Sequence, residues 1–205
     1  MPDTLELDDD RLLPVDPQTR AVARHLYATI AGHPILSPHG HVDPRLLLDD
    51  APFSDPAELF ITRDHYVTRL LHASGIDLAV LGAGTAAPVD PRAVWRVFAE
   101  NWHLFAGTAS GYWLAHELAT LFGIDVEPSA ETADAIFDAI ATRLTDAAYR
   151  PRALFERFGI EVLARTDDPL DDLAAHAGLA RDESWGGGVL PTFRPDAYLD
   201  PAAPA

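Results

Sequence analysis

The spacing of its strand-like runs restricts this chain's fold more than any other feature. One apolar run, Pro34-Ile35-Leu36-Ser37-Pro38, comes early. The next, Ile160-Glu161-Val162-Leu163-Ala164, follows only after roughly 120 residues that read almost wholly helical. A third, Val189-Leu190-Pro191-Thr192-Phe193, comes after a short helical segment and three glycines. The last two runs and the helix between them make a β-α-β unit, which is normally parallel and right-handed. The expected class is α/β, with a large helical insertion after the first strand. A closed (β/α)8 barrel takes eight strands and about 250 residues. Three strands in 205 residues therefore read as the first part of such a barrel, left incomplete after the third strand.

This reading divides the chain into an N-terminal arm and helix over 1–33, the first strand over 34–44, a mostly helical segment over 45–159 and the β-α-β portion over 160–205. Residues 1–19 read as an exposed acidic arm, and a helix runs from Arg20 to Ile30 with Val22, Leu26 and Ile30 on one face. A helix from about Asp64 to Ser74 carries Tyr66, Leu70 and Leu71 on one face and stops at Gly75. Asp90-Pro91 opens the next, Ser110 caps another and Ser129 a third, with Ile136, Ile140 and Leu144 four apart. Trp95, Trp102, Trp113 and the phenylalanines near them read as core. The run Asp167-Asp168-Pro169 reads as the N-terminus of a helix over Leu170 to Ala177, its carboxylates facing free N–H groups.

The first strand leads into His39-Gly40-His41. In an extended chain side chains alternate between faces, so both imidazoles project to one side and can reach one metal ion. With 9 His in the chain, chance supplies about 0.4 such pairs, and on the three letters alone two solvated loop histidines are the better reading. The position at the carboxyl end of a first barrel strand favours a site, because that is where such barrels assemble their chemistry.

The chain has no Cys, so any metal is held by His, Asp or Glu, and a hard or borderline divalent ion fits best. Net charge is −17, which argues against nucleic acid and against an anionic membrane surface. An anionic substrate would need a local cation or metal to overcome that field. The N-terminus lacks the apolar stretch of a secretory signal, so the cytoplasm is the expected compartment.

Several stretches resemble the uronate isomerases (glucuronate isomerase) of the amidohydrolase superfamily. They are Ser37-Pro38-His39-Gly40-His41-Val42-Asp43-Pro44, Pro52-Phe53, Asp64-His65-Tyr66, and Tyr112-Trp113 with His116-Glu117-Leu118 before Phe122-Gly123-Ile124. Further along come Val162-Leu163, Thr166-Asp167-Asp168-Pro169-Leu170-Asp171-Asp172-Leu173 and Val189-Leu190-Pro191-Thr192-Phe193-Arg194-Pro195-Asp196. In order and spacing they span nearly the whole chain.

The resemblance implies a distorted metal-dependent barrel that interconverts D-glucuronate with D-fructuronate and D-galacturonate with D-tagaturonate, usually with zinc. It makes His39 and His41 metal ligands, Tyr66 and the adjacent His65 catalytic groups at the substrate, and Arg194 a substrate-binding arginine. A late aspartate, a further histidine and more arginines would lie beyond Ala205, so these 205 residues are expected to be inactive alone. Without the family, His65-Tyr66 reads as a cap-region polar residue beside a core aromatic, and Arg194 as a surface cation. A metal-dependent hydrolase on the same barrel and a non-catalytic fragment are the alternatives, and a homo-oligomer is left open.

Overall fold

Among the described residues the sheet has three strands, β1 (Ile35–Ser37), β2 (Ile160–Asp167) and β3 (Gly188–Phe193), all parallel in the order β1-β2-β3. A computed structural model describes residues 3–5, 7–85 and 87–199, with Ala197 described by its backbone alone. The chain divides into two compact units. The first is Met1–Arg24 with Phe53–Asp146, and the second is His25–Pro52 with Ala147–Ala205. None of the helices among the described residues is long and apolar enough to cross a membrane.

The second unit holds the sheet. β1 pairs with β2 through Ile35 and Ile160, Leu36 and Val162, and Ser37 and Leu163, with a register shift after Ile35. β1 stops at Ser37 because Pro38 has no N–H to continue the ladder. Helix α1 (Pro17–Ile30) precedes it and α2 (Pro44–Asp49) follows. The α2 start is set by Pro44 at its first position and by Asp43, whose carboxylate accepts the Arg45 N–H at 2.9 Å. Helix α7 (Pro151–Arg157) leads into β2, and α8 (Ala174–Arg181) joins β2 to β3.

Leu47, Phe155, Leu163, Leu179 and Trp185 form the apolar core of this unit, flanked by Leu48, Ile160 and Val189. Gly178 lets α8 approach α2, since a Cβ there would stand 3.0 Å from Leu48 Cδ1. Residues 45–52 and 147–159, grouped with the helical segment in sequence, therefore belong with the sheet, because α2 and α7 supply Leu47 and Phe155 to its core.

The first unit is helical. It contains α3 (His65–Ala73), α4 (Pro91–Glu100), α5 (Ala109–His116) and α6 (Ala133–Leu144), with single π-helical turns at Glu58–Thr62 and Glu117–Leu121. Asp90 caps α4, and Val94, Trp95, Phe98 and Ala99 face inward. Trp95 is wholly buried, meets Phe98 at 5.2 Å and Phe60 at 6.1 Å between ring centroids, and donates its indole N–H to Ala133 O at 3.0 Å. Ile136, Ile140 and Leu144 are buried as their spacing predicts.

Several expectations fail locally. The N-terminal arm is tied down in part: Thr4 pairs with Val126, Leu5 N–H donates to Asp125 O at 2.9 Å, and Leu5 is buried. α5 is capped by Thr108, whose hydroxyl accepts the Gly111 N–H at 3.0 Å, and not by Ser110. α6 begins after Thr132, and Ser129 initiates only the preceding turn. Trp113 is 57% exposed and Tyr66 49% exposed, so neither is core. α3 buries Val67, Thr68 and Leu71 instead. Val22, Leu26 and Ile30 of α1 are also exposed.

The largest correction is at β2. The strand continues to Asp167, and α8 starts at Ala174 after Leu173 in a left-handed conformation. Parallel pairing with β3 through Asp167 and Phe193 holds the segment extended, which overrides the helix-capping propensity of the Asp-Asp-Pro run.

Candidate active site

The carboxyl ends of the three strands gather the site residues of the second unit. Past Ser37 the chain leaves the sheet, and His39 and His41 stand exposed with their Nε2 atoms 3.2 Å apart and their rings nearly perpendicular, at 84°. Two nitrogens bound to one tetrahedral zinc at about 2.0–2.1 Å lie roughly 3.3 Å from each other, so this separation suits a shared divalent ion. Among the described residues no third His, Asp or Glu joins them to complete a metal site.

Gly40 lets the loop run close against β2. A Cβ there would lie 3.3 Å from Ala164 O and 3.5 Å from Leu163 Cδ1 on β2. Thr166, near the end of β2, donates its N–H to Gly40 O at 3.1 Å and places its hydroxyl 3.1 Å from His41 Nδ1.

Arg194 follows β3 directly. It is exposed, and its guanidinium is paired with Asp196. An open cavity of about 280 Å³ is lined by Arg194 with Thr166, Asp167, Asp168 and Asp196. Arg194 and the histidine pair therefore border the same residue, Thr166. Tyr198 donates to Asp168 at 2.8 Å, a bond that raises its phenol above the ordinary value.

Asp167, read in sequence as a helix cap, is 5% exposed. It accepts from Arg165 Nη1 at 2.5 Å and meets His176 Nε2 at 3.1 Å. Its alternation with Thr166 explains the split: along a strand, neighbours face opposite sides, so Thr166 turns to the histidines and Asp167 to α8.

His65 and Tyr66 lie in the first unit, at the start of α3. Asp64 caps that helix, accepting the Tyr66 N–H at 2.7 Å and the Val67 N–H at 3.3 Å. The His65 and Tyr66 rings are 4.2 Å apart, and the Arg69 guanidinium lies 5.2 Å from the Tyr66 centroid. Glu117, which in sequence stood only as part of a family stretch, sits on a π-helical turn of the same unit. It is exposed by area, yet protein surrounds its carboxyl on most sides. The resulting desolvation, with the Asp64 charge second, pushes it up to about 7.

A family model described as glucuronate isomerase matches residues 15–202. A uronate isomerase of Rhizorhabdus wittichii is 53% identical over 197 residues, covering 96% of this chain and 42% of the relative. One from Xanthomonas campestris pv. campestris is 52% identical over 205 residues, covering 98% and 43%. The crystal structure of glucuronate isomerase from Caulobacter crescentus superposes with a TM-score of 0.90 at 46% identity, over 96% of this chain and 42% of that one. The uronate isomerase of Thermotoga maritima gives 0.82 at 28% identity, over 94% and 40%. The chain thus spans about two fifths of the length of the relatives it matches. By its own sequence and by these likenesses, the chain belongs to the glucuronate isomerase family.

Proposed function

We propose that the chain is the amino-terminal part of an enzyme that interconverts aldose and ketose hexuronates, D-glucuronate with D-fructuronate and D-galacturonate with D-tagaturonate. Its three strands would open a (β/α)8 barrel. The observation that carries this reading, in a member of this family, is the 3.2 Å separation of two imidazole nitrogens just past β1, with an exposed arginine, paired to Asp196, just past β3.

Isomerisation moves a proton between adjacent carbons through an enediol, so it needs an acid-base group and a partner for the developing oxyanion. His39 and His41 would hold a divalent ion, zinc by the family resemblance, and such an ion would supply charge stabilisation at a sugar oxygen. Arg194 presents a planar fork of donors to the uronate carboxylate, exchanging Asp196 for substrate. Tyr66, with His65 beside it, gives or takes the proton at the oxygen. The 205 residues alone offer two ligands and part of a barrel, and are inactive without the remainder. The test is turnover of both aldoses by the full-length protein purified with zinc. Loss of ester or amide substrate with no ketose product would overturn the proposal.

A further inference from the structure

Thr166 makes three polar contacts that can be satisfied together in one way only. Its N–H donates to Gly40 O at 3.1 Å, its Oγ1 lies 3.4 Å from the same oxygen, and Oγ1 also lies 3.1 Å from His41 Nδ1. A hydroxyl carries one proton, and a carbonyl oxygen can only accept. If the proton went to His41 Nδ1, Oγ1 and Gly40 O would face each other through lone pairs. If it goes to Gly40 O, the Oγ1 lone pairs are free to accept, and the partner at 3.1 Å must be an Nδ1–H donor.

We propose that Thr166 is a positioning residue that holds His41 in its Nδ1–H tautomer and so leaves Nε2 bare toward His39. Without metal, His39 Nε2–H then donates to His41 Nε2 across their 3.2 Å separation. With metal, the bare Nε2 is a ligand that needs no tautomer change first. A histidine's outer hydrogen bond fixes both the ring's orientation and which nitrogen binds, and loss of such a partner typically costs about 10–100-fold in metal affinity. The backbone bond to Gly40 O remains in any Thr166 variant, so the hydroxyl can be removed while the loop stays anchored. The tautomer stands on the Thr166 contacts alone, whereas its consequence for metal rests on the reading of the pair as ligands.

Neutron diffraction on deuterated, metal-free full-length protein reads the proton directly. Deuterium on His41 Nδ1 and none on its Nε2 is the expected result, and the reverse overturns the proposal without any variant. Chelator competition with zinc then compares T166V, which removes the hydroxyl, with T166S, which keeps it. The expected outcome is a loss of roughly tenfold or more for T166V and near-native affinity for T166S. Equal affinities in all three would overturn the positioning role. A protein that kept the Nδ1 tautomer and the affinity split but produced no ketose would overturn the isomerase reading alone.

Discussion

Arg152 Nη1 lies 2.7 Å from Asp182 Oδ2, joining the first turn of α7 to the end of α8. The same guanidinium donates to Leu47 O at 2.7 Å and to Leu48 O at 3.2 Å, and its Cζ stands 5.0 Å from the Trp185 centroid. Its backbone N–H goes to Asp50 Oδ1 at 3.0 Å, at the left-handed residue that ends α2. One side chain thus ties three helices over the core that supports the histidine loop. Replacing it strands the α2 carbonyls, so R152A is expected to lower the unfolding free energy by about 2 kcal/mol, read from the urea midpoint. R152K, a point charge that cannot serve all three acceptors, is expected to recover only part of that.

Glu117 gives the first unit a pH dependence opposite to that of an ordinary carboxylate. Desolvation and then Asp64 push it up to about 7 from a usual 4.5. Below the unfolded value both states hold the proton and the stabilisation is fully present. It is lost as pH rises through the folded value, because only the unfolded state ionises freely. Solvent reaches the side chain, so the screened effect is about 1 kcal/mol. Urea midpoints at pH 5 and pH 8 are expected to fall for the native protein and to change less for E117Q. The same slope in both would show that another group is responsible.

What could be read from the sequence followed from periodicity and local chemistry. The three strands, the Asp90 cap and the Trp95 and Ile136 core faces were legible because each is decided within a few residues. His39 and His41 do bring their Nε2 atoms within 3.2 Å, but they lie past Ser37, the last residue of β1, so alternation along a strand over 34–44 is not what pairs them. What failed was decided across the chain. Asp167 has the composition of a helix cap, but pairing with β3 extends it and His176 buries it. Leu5 looked like part of a free arm until Asp125 supplied its partner. Thr166 stood in sequence only as one letter of a family stretch, with no role, because its contacts exist only where residue 166 meets residues 40 and 41.

Gly40 sits where a side chain would press on β2. A Cβ 3.3 Å from Ala164 O is a tighter approach than ordinary packing, and a strand carbonyl cannot rotate away. G40A is therefore expected to displace the loop by a few tenths of an ångström and to weaken zinc binding several-fold, with a stability loss of about 1 kcal/mol or less. Chelator competition and thermal melting of the full-length protein check both. Unchanged affinity with a lowered melting temperature would mean that the loop yields elsewhere and the histidine geometry does not depend on the close approach.

The proposed role of Arg194, binding the substrate carboxylate, predicts that its variants change binding and leave the chemistry. Its side chain is exposed and held only by Asp196 among the described residues, two positions along the chain. Removing it leaves no buried group unpaired, so folding is expected to change by less than about 0.5 kcal/mol. In R194K the charge remains but the two parallel N–H donors do not. The expected result is a KM for D-glucuronate raised roughly ten- to a hundredfold with kcat reduced much less, because the contact is made in ground and transition states alike. A fall in kcat at unchanged KM would instead place Arg194 at the reacting carbons. D196N is the companion measurement: it frees the guanidinium from its competing carboxylate, so KM should fall or stay constant, and a rise would mean that Asp196 orients the fork for substrate.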